Sequence, residues 1–217
     1  LMVVFITVAL SLPMGVAAAI YLEEFAPRNK LTELIEVNIN NLAAVPSIIF
    51  GLLGLAVFLG FFGMPRSIPL VGGLVIALMS LPTIIIAARA AVRAVPPSVR
   101  EAALGVGASH QQAVFHHVLP LAMPGIMTGI ILGIGRAAGE TAPILFTVAA
   151  FYLRDLPRSI YDQAMALPYH LFVLSTQVPN APPKIQWGTA LVLLGLVLGM
   201  NLIAAVIRAR FRKARKW

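Results

Sequence analysis

IPLVGGLVIALMSLPTIIIAARAAV, residues 68–92, is the stretch whose reading decides the fold. It carries no charge before Arg89 and has no polar stripe at helical spacing, so a helix built from it has no face for water. A membrane-crossing helix needs roughly 20 consecutive apolar residues, and this run supplies them.

Comparable runs lie on either side. Leu1 to Leu22, Asn41 to Phe62, Ile68 to Val92, a segment from just after Pro120 to about Phe146, and Trp187 to Ile207 give five predicted spans. The whole chain agrees: 59% of its 217 residues are hydrophobic, 11% are charged, and the mean hydropathy is +0.92. That balance excludes an ordinary soluble domain. The expected fold class is all-α, a polytopic membrane helical bundle, with residues 1–217 forming one transmembrane domain. Sixteen prolines and seventeen glycines fit such a bundle, where neighbouring helices satisfy freed backbone groups. There is no cysteine, hence no disulfide and no thiolate metal site. The chain opens directly in apolar sequence without a basic flank, so no signal peptide is expected and an upstream helix is.

Charge sets the orientation. The tail 208–217, with Arg208, Arg210, Arg212, Lys213, Arg215 and Lys216, is predicted to be cytoplasmic, as are the loops carrying Arg28 and Lys30 and carrying Arg89, Arg93 and Arg100. Eleven basic residues then lie inside against four outside (Arg66, Arg154, Arg158 and Lys184), with Arg136 left within a span. Basic residues beside a final span anchor it to the membrane surface, so the net charge of +8 points to lipid and not to nucleic acid.

The inside loop 93–119 is the most patterned part of the chain. Pro96-Pro97 ends the arriving helix, and Ser98-Val-Arg-Glu101 reads as a capping box opening a short helix that Gly105 and Gly107 terminate. Ser109-His-Gln-Gln112 reads as a second capping box, opening a segment that ends at Leu119-Pro120. The result is a helix–turn–helix elbow whose Ala102 and Ala103 offer a small face to another protein. Read alone, the elbow is equally a structured connector. His110, His116 and His117 are read as solvated interfacial residues in preference to metal ligands.

The fourth span carries Gly125, Gly129, Gly133, Arg136 and Glu140, which fall within roughly an 80° sector of one helical face. Small residues at this spacing let helices approach closely. An arginine in the bilayer costs at least about 2.5–3.5 kcal/mol, and Glu140 one turn on is the nearest group to offset it. Two readings stay open: a neutralised pair that fixes packing, or a pair lining a translocation route in which Arg136 meets an oxyanion. Pro46 and Pro82 within spans, and Pro143 beyond Glu140, are expected to kink or end helices. Gly195 and Gly199 are expected to contact a neighbouring helix of the same chain, and Trp187 to sit at the outer interface.

Glu101-Ala102-Ala103, Gly107 and Leu119-Pro120 resemble the EAA motif of bacterial ABC importer permeases: E-A-A, three residues, G, nine residues, an aliphatic residue, one residue, L-P. The one departure is His117, at the aliphatic position, which questions the packing beneath the second short helix. The resemblance implies a type I, MetI-like permease in which this loop docks on a separate ATPase subunit. No lysine here follows a glycine, so no P-loop is present, and any ATP and Mg would be used by that partner. The chain is therefore expected to be a non-enzymatic permease binding no cofactor itself.

YLEEFAP (21–27), VPSIIFG (45–51) and GRAAGETAP (135–143) are similar to the phosphate-specific transport permeases, and ALPYHLFVLS (166–175), in the predicted external loop 151–184, resembles the PstA type more than PstC. That implies a six-helix permease, a PstC-like partner, two PstB-like ATPases and an external PstS-like phosphate-binding protein. It also implies phosphate passage at Arg136 and Glu140. Residue chemistry alone leaves the cargo open to molybdate, sulfate or an organic solute, and leaves a passive channel or assembly subunit as a rival.

Overall fold

The computed structural model describes residues 1–148, 150, 152–153 and 155–213, with backbone alone at 132, 204, 207–208 and 210–213. The expected basic tail and Arg154 therefore fall wholly or largely outside the described side chains. Among the described residues every regular element is a helix. In order they are α1 Met2–Phe25, α2 Lys30–Ala44, α3 Ser47–Phe61, α4 Pro69–Arg93, α5 Pro97–Gly105, α6 His110–Gly139, α7 Ile144–Thr147, α8 Leu167–Thr176 and α9 Pro183–Lys213.

Four of these, α1, α4, α6 and the Pro183–Ile203 part of α9, are long and apolar enough to cross a membrane. A fifth span exists if α2 and α3, bent by 100° at their junction, count as one. Here the structure corrects the sequence, since Asn41–Phe62 is not one straight span. Pro46 lacks an N–H and holds an extended backbone (φ −57°, ψ 137°), so α2 ends before it and α3 starts after it. The segment Glu23–Asn40 is likewise no simple loop. The Thr32 N–H donates to Asn29 Oδ1 at 2.9 Å, which caps the first turn of α2.

The chain packs as two compact units, and α1, α4, α6 and α9 contribute residues to both. The unit formed by Leu1–Leu10, Val45–Ser80 and Ile134–Ile203 has a core of Phe50, Ile68, Val71, Val75, Ile76, Ile144 and Val148. Glycines permit its close approaches: a Cβ on Gly73 would meet the Ile6 side chain at 2.5 Å. Buried Thr7 donates its hydroxyl to the Gly73 carbonyl at 3.2 Å, tying α1 to α4. The predicted external loop folds here too. The Ala164 N–H donates to the Ser67 carbonyl at 2.8 Å, and α8 buries Pro168, Val173 and Leu174.

The second unit, which includes Ser11–Ala44 and Leu81–Gly133, has a core of Ala19, Ile85, Ala88, Val92, Val118, Ala122 and Ile126. Its defining contact is between α4 and α6. A Cβ added to Gly125 would lie 2.6 Å from Ala91 Cβ, and one added to Gly129 would lie 2.5 Å from Ala87 Cβ. The glycine seam is thus a close helix crossing on two alanines, where van der Waals contact between backbones does the work that side-chain burial does in water. Gly133 is looser, its added Cβ reaching Ile84 Cγ1 at 3.3 Å.

Gly195 and Gly199 behave otherwise. No described atom comes within 4 Å of a Cβ built on either, so the expected contact with another helix of this chain is absent. Trp187 is 71% exposed, on the same unburied helix.

Candidate functional site

α5 forms because two prolines fix its start. Pro97 occupies the first helical position, where its missing N–H costs nothing, and Pro96 is extended before it. This places Ser98 inside the first turn and not ahead of it, so the expected Ser98–Glu101 capping box is not made. The far end matches the glycine reading. Gly107 has φ +89°, its N–H donates to the Leu104 carbonyl at 2.9 Å, and the Ala108 N–H donates to the Ala103 carbonyl at 3.1 Å. These paired bonds are a Schellman closure, and its left-handed residue is the glycine of the E-A-A…G pattern.

The second capping box is made in full. The Gln112 N–H donates to Ser109 Oγ at 3.2 Å, and the Ser109 N–H donates to Gln112 Oε1 at 2.8 Å. The helix it opens does not stop at Leu119-Pro120, as the sequence suggests, but runs on as α6 to Gly139. A proline ring clashes with the carbonyl four residues back, here His116. That carbonyl lies in a π-helical turn, Val114–Val118, whose wider repeat accommodates the ring. His117 is exposed within this turn, whereas Val114 and Val118 are buried. The elbow's packing is therefore carried by the two valines, and His117 at the aliphatic position does not disturb it.

Glu101, Ala102, Leu104 and Gly107 are exposed, while Ala103 is buried. Leu119 and Pro120 are half-buried at the root of the span. The E-A-A residues thus divide their work: Ala103 faces the chain's own core, and Glu101 and Ala102 are open to another surface.

Arg136 and Glu140 do meet, Nε donating to Oε1 at 3.0 Å. Their setting differs from the expected span interior. α6 ends at Gly139, and Glu140–Pro143 is a break before the one-turn α7, because Gly139 favours a helix end and Pro143 prevents continuation. Arg136 occupies the last turn, where the helix carbonyls favour a cation. Its side chain is 43% exposed against 14% for Glu140. Among the described residues Glu140 is its hydrogen-bonding partner, through Nε alone, so both Nη groups can donate to something else.

The sequence missed a charge cluster at the ends of α1 and α4. Arg89 pairs with Glu23 at 3.3 Å and with Glu36 of α2 at 2.7 Å, and Arg93 pairs with Glu23 at 2.9 Å. These residues line an open cavity of about 540 Å³ together with Arg28, Lys30 and Glu33. The signal was present as Glu23-Glu24 closing an apolar run, but its partners lie more than fifty residues away in the chain.

Comparison with known proteins finds relatives along most of the chain. Probable ABC transporter permease protein YqgI of Bacillus subtilis is 33% identical over 93% of this chain, which spans 72% of its length. Phosphate transport system permease protein PstA 1 of Mycobacterium tuberculosis is 33% identical over 94% of this chain, which spans 66% of that protein. A solved chain of the MetNI methionine ABC transporter, inward facing, superposes with a TM-score of 0.78 at 15% identity, covering 96% of this chain and 91% of its own. That likeness shows the helical fold. Residues 11–216 match the family described as binding-protein-dependent transport system inner membrane component. That match spans nearly the whole of this multi-pass helical chain, and the chain belongs to the family.

Proposed function

We propose that the chain is a transmembrane permease subunit of an ATP-driven importer of inorganic phosphate, without catalytic activity of its own. The observation that carries this reading is the 33% identity to a phosphate permease along 94% of the chain. ATP and Mg are used by separate PstB-like subunits, which dock on the exposed Glu101, Ala102 and Gly107 of α5, with Ala103, Leu119 and Pro120 fixing the elbow to its span. A PstC-like permease completes the pore, and an external PstS-like protein delivers phosphate. The chain resides in the cytoplasmic (inner) membrane of a bacterium or archaeon, with its basic tail inside.

Arg136 is the phosphate contact. Its two free Nη groups can form parallel hydrogen bonds to a tetrahedral oxyanion, while Glu140 holds Nε and keeps the site from binding too tightly. The reading is tested by assembling the chain with a phosphate-type partner permease and ATPase. Glu101→Lys is expected to lose the ATPase subunit on purification while the membrane subunits stay together. Retention of full ATPase binding and stimulation in Glu101→Lys would refute the docking assignment.

A further inference from the structure

The two acids that end α1 reach different partners. α1 closes in a π-helical turn, Tyr21–Phe25, so the neighbouring side chains of Glu23 and Glu24 leave the axis in different directions. Glu23 faces α4, whereas Glu24 faces α5. The Glu24 carboxylate is 4% exposed and its partner is Arg100, 22% exposed, one residue before the E-A-A stretch.

Arg100 spends every arm of its guanidinium. Nε donates to both Glu24 oxygens, at 3.1 and 3.2 Å, and Nη2 donates to Glu24 Oε1 and to the Val92 carbonyl, the latter at 3.1 Å. Nη1 donates to the Val95 carbonyl at 2.8 Å. The Val92 carbonyl is in the last turn of α4, where a cation satisfies an acceptor and faces the negative end of the helix dipole, and Val95 follows two residues after that helix ends. One planar side chain of α5 therefore grips α1 and α4 together, a geometry that lysine cannot reproduce.

The other arm of the elbow takes hold of the same place. His110 Nε2 donates to the Glu24 carbonyl at 2.8 Å, and its ring meets Phe25 edge-on, centroids 5.2 Å apart at 77°. Both helices of the elbow are thus fastened to Glu24-Phe25. α5 has few other holds: it is nine residues long, has no side-chain cap at its start, buries Ala103 and packs Val99 partly against the core. Helices this short are not stable on their own.

We infer that Glu24 and Arg100 form a latch that makes the coupling elbow, the end of α1 and the end of α4 move as one body. They are positioning residues. A push on α5 then shifts two spans instead of being absorbed in the short connection between Arg93 and Pro97. This inference rests on the reading of α5 as the ATPase-coupling helix.

The test uses the assembled transporter and reads phosphate imported per ATP hydrolysed, a ratio that a merely structural loss of protein does not move. Glu24→Gln and Arg100→Lys are each expected to keep the ATPase bound and hydrolysing while the ratio falls by at least about tenfold. These 217 residues hold no cysteine, so Glu24→Cys with Arg100→Cys can be bridged by a short bis-maleimide with no competing thiol among them. The bridge is expected to form with and without ATP and to raise the ratio above that of the unbridged double variant. An unchanged ratio in both single variants, or a bridge that does not form or lowers the ratio, overturns the latch. Failure of the importer reading is separate, since it appears as absent ATP-driven uptake in the unmodified chain.

Discussion

Arg136 and Glu140 are joined by one hydrogen bond, Nε to Oε1 at 3.0 Å, at the point where α6 ends. Among the described residues this leaves both Nη groups of a fixed charge unengaged at a helix terminus and makes Arg136 the group whose removal should matter most for transport. Arg136→Ala is expected to lower phosphate uptake by about ten- to a hundredfold, the worth of one or two charge-assisted hydrogen bonds, with insertion and ATPase assembly intact. Arg136→Lys should recover only part, since an ammonium cannot offer the paired donors. Uptake into vesicles, normalised to assembled complex, measures both.

The α4–α6 crossing gives a stability series. At Gly129 the added Cβ meets Ala87 Cβ at 2.5 Å, and an alanine side chain cannot rotate away, so Gly129→Ala should destabilise by about 1–3 kcal/mol. At Gly133 the obstacle is Ile84 Cγ1 at 3.3 Å, which can yield, and Gly133→Ala should cost much less. At Gly195 nothing lies within 4 Å, so alanine should be neutral or gain up to about 1 kcal/mol of helix propensity. Thermal unfolding of the three variants in detergent ranks them.

Two serines separate sequence pattern from structure. Ser109 caps α6 and Ser98 caps nothing. Ser109→Ala should cost about 1 kcal/mol and Ser98→Ala close to none, by the same unfolding measurement. Equal losses would show that α5 begins where its sequence pattern suggests and not at Pro97.

Gly107 is held at φ +89° in the Schellman closure of α5. Gly107→Ala should cost about 1–2 kcal/mol locally, since a Cβ disfavours the left-handed region. The expected result is weaker ATPase binding with normal membrane insertion, read by co-purification.

What was legible in the sequence was local or periodic. The apolar runs gave α1, α4, α6 and α9, and the Ser109–Gln112 box and the Gly107 stop needed only their neighbours. Ser98 misled because the identical pattern was pre-empted by Pro97, whose ring fixes the first helical position. The run Asn41–Phe62 was apolar enough to span, and Pro46, expected to kink or end a helix, ends one and turns the chain by 100°. The Arg136–Glu140 contact was legible as an i, i+4 pair and Pro143 as a helix breaker beyond it, but the stop at Gly139, which puts Glu140 itself outside the helix, was not. Glu24 and Arg100 were unreadable for a different reason: their sequence separation is 76, and only tertiary packing brings them together.

The measurement that tests the central claim most directly is phosphate uptake by the assembled complex in vesicles, with ATP or a non-hydrolysable analogue inside the compartment that faces the ATPase. ATP-dependent accumulation against a gradient, undiminished by excess sulfate and lowered at least about tenfold in Arg136→Ala, is the predicted result. Equal phosphate flux with ATP and with the analogue would contradict it, as would ATP-driven transport in which sulfate displaces phosphate.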